Sequence, residues 1–155
     1  MIPKIIVVVA VTLGATMVPQ GNASVEIATR AVEHILPSMI QRDGNGLKIE
    51  VRKGEAFDST TTTLVARAFR GAAGRESAVI RCSTRDRRQC QIVGAKTFVL
   101  VKHQASTTQD TVVVDISATE QIGPETRLHG VMMVLEIVRS GLGWRVNRIL
   151  AQGES

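Results

Sequence analysis

The sequence predicts an α+β fold built as a single domain, in which N-terminal helices are followed by an antiparallel meander sheet. Three observations support this prediction. The 155 residues suffice for one ordinary domain. Apolar residues recur at helical spacing early in the chain, and from residue 78 onward they lie in β-branched runs separated by polar turns. With 44% hydrophobic and 21% charged residues, the composition excludes wholesale disorder.

Residues 1–23 are predicted to be a secretory signal peptide. Lys4 gives the N-terminus a positive charge, and residues 5–18 form an apolar run. This run is shorter than the roughly twenty residues that a membrane-spanning helix needs. Small residues up to Ala23 predict cleavage after Ala23. The expected product is a secreted or periplasmic domain, 24–155; the alternative is an uncleaved anchor, which would be the chain's one contact with a membrane.

Residues Ser24–Leu36 are predicted to form an amphipathic helix, which Pro37 ends because its ring is incompatible with a helix interior. Its apolar residues fall on one stripe at three- and four-residue spacing. The stripe consists of Ala28, Ala31, Val32, Ile35 and Leu36.

The next segment alternates between element types. Residues 43–46 predict a turn, and Leu47–Val51 alternates apolar with charged residues as a half-buried strand does. Residues Thr61–Ala73 are predicted to form a helix, because they carry a helical apolar period with Gly74 at the position of a C-cap. The consecutive threonines at 60–63 oppose a helix because β-branched side chains lose rotamer freedom there.

The rest of the chain predicts strands joined by turns, which gives the antiparallel meander. The predicted strands are Ala78–Cys82, Cys90–Val93, Thr97–Gln104, Thr111–Ala118, Arg127–Arg139 and Trp144–Leu150.

The end of the chain resembles a known hairpin. The strand Val134–Arg139, a glycine-containing turn and the strand start Trp144–Val146 resemble the closing hairpin of the NTF2-like (cystatin-like) superfamily. The resemblance covers the helix-first order and the C-terminal third. It implies an N-terminal helix or helices packed on a curved antiparallel meander sheet, and a homodimer formed through a sheet face. Because the chain has no tyrosine, it cannot supply the tyrosine and aspartate set of ketosteroid isomerase-like sites.

Cys82 and Cys90 are predicted to form a disulfide, because an exported chain matures in an oxidising compartment. Closing this short loop would stabilise the fold by about 2.6 kcal/mol. A redox pair or a metal site is the alternative, but the spacing is not C-x-x-C and no histidine lies near in sequence.

Arginines crowd the segment around these cysteines. Arg81, Arg85, Arg87 and Arg88 lie there in a chain of net charge +5. They form either an anion-binding patch, since guanidinium groups pair with phosphate and carboxylate, or a solvated charged loop. No helix-turn-helix, zinc-finger or RNP-type motif supports sequence-specific recognition of nucleic acid.

Asp115 and Glu136 are the candidate catalytic carboxylates. On the concave side of a curved sheet, either could have a raised pKa and act as a general base. The alternative is that they are exposed, or paired with Arg139 or Arg148.

The remaining chemistry-bearing residues predict structural roles. His34, His103 and His129 lack metal-ligand spacing, so neither a metal nor another cofactor is expected. Trp144 is expected to cover one end of the core. Met132 and Met133 point to opposite faces of a regular strand, which would leave one face for a neighbouring element or a partner subunit.

The sequence therefore favours an exported, non-enzymatic binding or interaction module for a small ligand or an envelope protein. Two alternatives remain: an NTF2-like pocket enzyme with Asp115 or Glu136 as base, and a polyanion-binding module that uses the arginine-rich loop.

Export and oxidation can be tested together by intact-mass spectrometry of the protein recovered from outside the cytoplasm. We expect a mature N-terminus at Ser24, and a mass about two daltons below that of the reduced chain because Cys82 and Cys90 are joined. Recovery of the full-length precursor in the cytosol, with both thiols open to alkylation, would contradict the signal-peptide prediction.

Overall fold

The structure, a computed structural model, describes residues 20–40, 46–69, 72–74, 79–85, 90–104, 108–122 and 127–155. Two helices lie in these ranges, α1 (Gln20–Ile35) and α2 (Ser59–Arg67). The strands of the described residues are β1 (Leu47–Lys53), β2 (Ala56–Phe57), β3 (Ala73–Gly74), β4 (Val79–Cys82), β5 (Cys90–Val93), β6 (Thr97–His103), β7 (Thr111–Ile122), β8 (Arg127–Ser140) and β9 (Gly143–Glu154). The α+β class is confirmed.

Helix α1 buries the stripe that the sequence predicts. Ala28, Ala31, Val32 and Ile35 are fully buried in the core. The helix stops at Ile35, and a short 3-10 turn, Leu36–Ser38, carries Pro37 in its first turn. Proline fits at this place because the first N–H groups of a helical turn have no intrahelical acceptor.

Helix α2 is shorter than the predicted 61–73 segment. Asp58 caps it by accepting a hydrogen bond from the Thr61 backbone N–H at 3.0 Å. The threonines that oppose a helix by propensity find partners here: the Thr62 hydroxyl accepts from the Val51 N–H at 2.9 Å. This buried bond attaches α2 to β1, so tertiary contacts override the local propensity. Gly74 lies in β3 and is not a helix cap.

The main sheet has seven strands and is mixed. Its order is β2-β1-β6-β7-β8-β9, with β3 also paired to β1. Strands β6 to β9 form the predicted antiparallel meander, whereas β1 lies parallel to both β6 and β3. The predicted antiparallel meander is therefore confirmed only in part, because the sheet as a whole is mixed. Parallel neighbours need a long crossover connection, and the residues from 54 to 96 between β1 and β6 provide one.

Strands β4 and β5 form a separate two-stranded sheet. Cys82 and Cys90 lie directly opposite each other in it and are joined by a disulfide. The predicted pairing is confirmed, and the covalent bond closes the hairpin where its strands meet the intervening loop.

The core lies between α1 and one face of the main sheet. Side chains alternate along β7, so that Val112, Val114, Ile116 and Ala118 point toward the helix and are buried. Strands β6 and β8 follow the same alternation. Trp144, at the start of β9, is 7% exposed and covers one end of this core as expected.

The tip of the β8–β9 hairpin is attached to α1 through a carboxylate. Glu26 Oε1 accepts a hydrogen bond from the Trp144 backbone N–H at 3.0 Å. A side chain at Gly143 would stand only 2.8 Å from the same oxygen, so the close approach favours glycine there. The Arg139 guanidinium lies 5.3 Å from the centre of the Trp144 ring, on its face.

Removing the Glu26 carboxylate should loosen this attachment. We expect Glu26→Ala to lower the free energy of unfolding by about 1 to 2 kcal/mol, because the half-buried Trp144 N–H loses a charged acceptor. Glu33→Ala is the matched control on the same helix: its exposed ion pair with Arg30 should contribute under about 0.5 kcal/mol. Urea denaturation measures both, and equal effects would contradict the assignment.

Candidate functional site

The two faces of the main sheet differ in what covers them. Helix α1, with α2 beside it, covers one face. We call the opposite face, made by the alternate residues of β6 to β9, the outer face. Its central members are Leu100, Lys102, Val113, Asp115, Ser117, Met132, Val134 and Glu136.

A groove of about 390 Å³ lies on the outer face, between β6 and β9. Leu100, Met132 and Val134 give it apolar walls, and Gln152 and Gly153 line it from β9. Met132 is 65% exposed although it lies on a central strand of the sheet. The volume falls in the range of small-molecule sites, which combine apolar walls with a few polar groups.

Asp115 supplies the negatively charged group of this outer-face groove. Its Oδ2 accepts a hydrogen bond from the Gln104 side-chain amide at 2.5 Å. Its Oδ1 is shielded from solvent and has no hydrogen-bond partner among the described residues. A carboxylate oxygen in that state is costly, because it has lost water without gaining a donor.

Both carboxylate oxygens of Glu136, by contrast, accept hydrogen bonds. Arg148 donates to both of its carboxylate oxygens at 3.1 Å, and Asn147 donates to Oε1 at 2.8 Å. The Arg148 guanidinium first, and the Asn147 amide second, lower the pKa of Glu136 below its ordinary value. This carboxylate therefore stays ionised and paired with Arg148, which is one of the alternatives given by the sequence analysis.

Lys102, another cation of the outer face, is also held in an ion pair. Lys102 lies directly opposite Asp115 in the β6–β7 register, but its ammonium pairs with Glu55. The hydrogen bond from Lys102 lowers the pKa of Glu55. Lys102 thus neutralises a carboxylate outside the groove and leaves Asp115 without an ion-pair partner among the described residues.

The candidate carboxylates do not lie on the helix-covered face. Both Asp115 and Glu136 belong to the outer face, and the space between α1 and the sheet is filled by apolar side chains. The two residues are not direct neighbours: Glu136 pairs across the strands with Val113, and Asp115 with Val134. Only Asp115 lines the groove.

Comparison of the chain with family models, with curated proteins and with solved structures gives no match in any of the three.

Two buried carboxylates were not singled out from the sequence. Glu120, with no exposed surface, accepts from the Ile40 N–H at 2.8 Å and lies 3.0 Å from His129 Nδ1. Glu50, 2% exposed, accepts from Arg52 Nε at 2.8 Å. Glu120 thereby attaches the segment after α1 to the C-terminal part of β7, an interior strand of the sheet.

The signal for Glu120 was present in the sequence. It follows Val112, Val114, Ile116 and Ala118 at two-residue spacing, and this alternation places it on the helix-covered face. The predicted strand ended at Ala118, whereas β7 continues to Ile122. Glu120 was therefore not assigned to the strand, and its alternation with the apolar residues was not recognised.

His103 is a partly buried histidine at the end of β6. Burial lowers the pKa of His103 most, Lys53 lowers it further, and the nearby Asp58 carboxylate partly opposes both. Its Nε2 has no hydrogen-bond partner among the described residues. His34 is partly exposed, and His129 pairs with Glu120.

The arginine patch is described only in part. Arg81 and Arg85 are exposed beside the β4–β5 disulfide, whereas Arg87 and Arg88 lie outside the described residues. Anion binding by these four side chains stays a prediction.

The described part of the chain contains no group of three or more His, Cys, Asp or Glu side chains placed to hold a metal ion. Within the same ranges, no helix has the length and apolar character needed to cross a bilayer.

The lowered pKa of His103 predicts acid sensitivity. As the pH falls through about 6.5, the unfolded chain takes up a proton on this residue that the folded chain resists, so the free energy of unfolding decreases. We expect His103→Leu to make the decline between pH 7 and pH 5 shallower. Urea denaturation at several pH values measures this, and an NMR titration should place the His103 pKa below that of an unfolded peptide. An unchanged slope in the variant would contradict the assignment.

Proposed function

We propose that this chain is an exported, non-enzymatic binding module that holds a small ligand in the outer-face groove. The observation that carries the proposal is the groove itself. A large apolar side chain, Met132, stands mostly exposed between Leu100 and Val134, and a partly unsatisfied carboxylate, Asp115, lies beside them. Exposed apolar surface gathered around one polar group is typical of ligand sites.

Export is supported by two independent features. The apolar run at residues 5–18 has the length of a signal-peptide core. The Cys82–Cys90 disulfide is compatible with an oxidising compartment outside the cytoplasm.

We also propose an NTF2-like architecture, in which the meander β6–β9 curves around α1. The helix-first order and the antiparallel pairing of four consecutive strands support it. The parallel strand β1 is an addition to the purely antiparallel sheet that the resemblance implied.

Binding is favoured over catalysis by the state of Glu136. A general base at neutral pH works best with a pKa near 7, and the contacts from Arg148 and Asn147 move the pKa of Glu136 in the opposite direction. Its two oxygens are also occupied, so it offers no free position to a substrate proton.

A neutral apolar fluorophore tests the groove directly. We expect N-phenyl-1-naphthylamine to bind the purified chain with a rise in its fluorescence. Met132→Asp should weaken binding about tenfold or more, because a charge replaces apolar contact surface. Leu142→Asp is the matched control, since Leu142 is fully exposed in the β8–β9 turn and outside the groove.

Three results would contradict the proposal: no binding, an equal loss in both variants, or a chain that sediments as a dimer which Met132→Asp dissociates. The last result would mean that a second copy occupies the outer face. Thermal unfolding of both variants shows whether either change has disturbed the fold.

A further inference from the structure

The hydrogen bonding of the Asp115 carboxylate indicates which type of ligand group can pair with it. Its two oxygens differ: Oδ2 holds the Gln104 amide, while Oδ1 is shielded from water and has no partner among the described residues. Oδ1 can only accept, because an ionised carboxylate has no proton to donate. A ligand group that meets the Asp115 carboxylate in the groove must therefore be a donor.

The ion pairs around the groove indicate that this donor carries a positive charge. Lys102, the cation that lines the groove, is held by Glu55, and Arg148 on β9 is held by Glu136. Asp115 itself forms no ion pair among the described residues. Hydrogen bonds between an ionised donor and a carboxylate are roughly twice as strong as neutral ones.

The side chains that line the groove indicate the size and polarity of the rest of the ligand. Leu100, Met132 and Val134 present apolar surface beside Asp115, and no charged side chain other than Lys102 and Asp115 lines the groove within the described residues. A ligand that fills about 390 Å³ has an apolar body of moderate size and a single polar end.

We propose that the outer-face groove binds an amphipathic amine, whose ammonium group pairs with the Asp115 carboxylate and whose apolar body packs on Met132, Leu100 and Val134. This inference rests on the proposed function and names the ligand class of the same site. An anionic amphiphile of the same size would bring a like charge to Asp115, and an alcohol would donate a hydrogen bond without supplying a positive charge.

A series of three probes with the same chain separates these possibilities. Decylammonium, decanol and decanoate differ only in the head group, and each is titrated by calorimetry at pH 7, below the micelle concentration of the two ions and the solubility limit of decanol. We expect decylammonium to bind at least tenfold more tightly than decanol, and decanoate to bind most weakly. Raising the salt concentration should narrow the difference between decylammonium and decanol.

Substitutions assign the head-group preference to one residue. Asp115→Asn keeps the size of the side chain and removes its charge, and it should reduce decylammonium binding to the level of decanol. Asp110→Asn is the matched control, because it makes the same chemical change at an exposed site outside the groove. It should leave the tenfold preference intact.

The possible failures are distinguishable. If all three probes bind equally, or if Asp115→Asn keeps the preference, the ligand class is wrong. The proposed binding function then still stands, provided that Met132→Asp abolishes decanol binding. If none of the probes binds, or if sedimentation shows a second copy on the outer face, both the ligand class and the proposed function are wrong.

Discussion

The packing of α1 on one face of β6 to β8 determines the remaining architecture. Ala28 and Ala31 are small enough to bring the helix close to the sheet, and Val32 and Ile35 fill the space beside them. Side chains on a strand alternate between faces, so once one set is held under the helix the other set must point away. The outer face, its groove and the position of Asp115 all follow from this single contact.

Local patterns in the sequence were sufficient to predict most of the elements. The helical stripe of α1 and the β-branched runs of β6 and β7 are long, periodic signals, and a helix and two strands lie there, although α1 begins before Ser24 and β7 continues beyond Ala118. The parallel pairing of β1 with β6 was not predicted, because it depends on where a crossover of more than forty residues returns to the sheet. The two-residue strands β2 and β3 carry no periodic signal at all.

The candidate site was predicted by residue type but not by geometry. Asp115 stood out as a carboxylate within an apolar strand, yet its facing depended on which set of alternating residues the helix covers. For Glu136 the decisive partner was Arg148, which the β8–β9 register brings opposite it after a bulge. A bulge shifts the facing of every later residue, so alternation counted along the sequence alone could not have fixed this pair.

The parallel strand also bears on how the chain acquires its structure. Strands β6 to β9 pair with their neighbours in sequence, so their hairpins close over short loops and form early. Strand β1 is synthesised well before its partner β6 and can pair only after the intervening segment has been looped out. Helix α1 and strand β1 are synthesised before the strands on which they pack. Their apolar residues therefore stay uncovered until the C-terminal half of the chain has been synthesised.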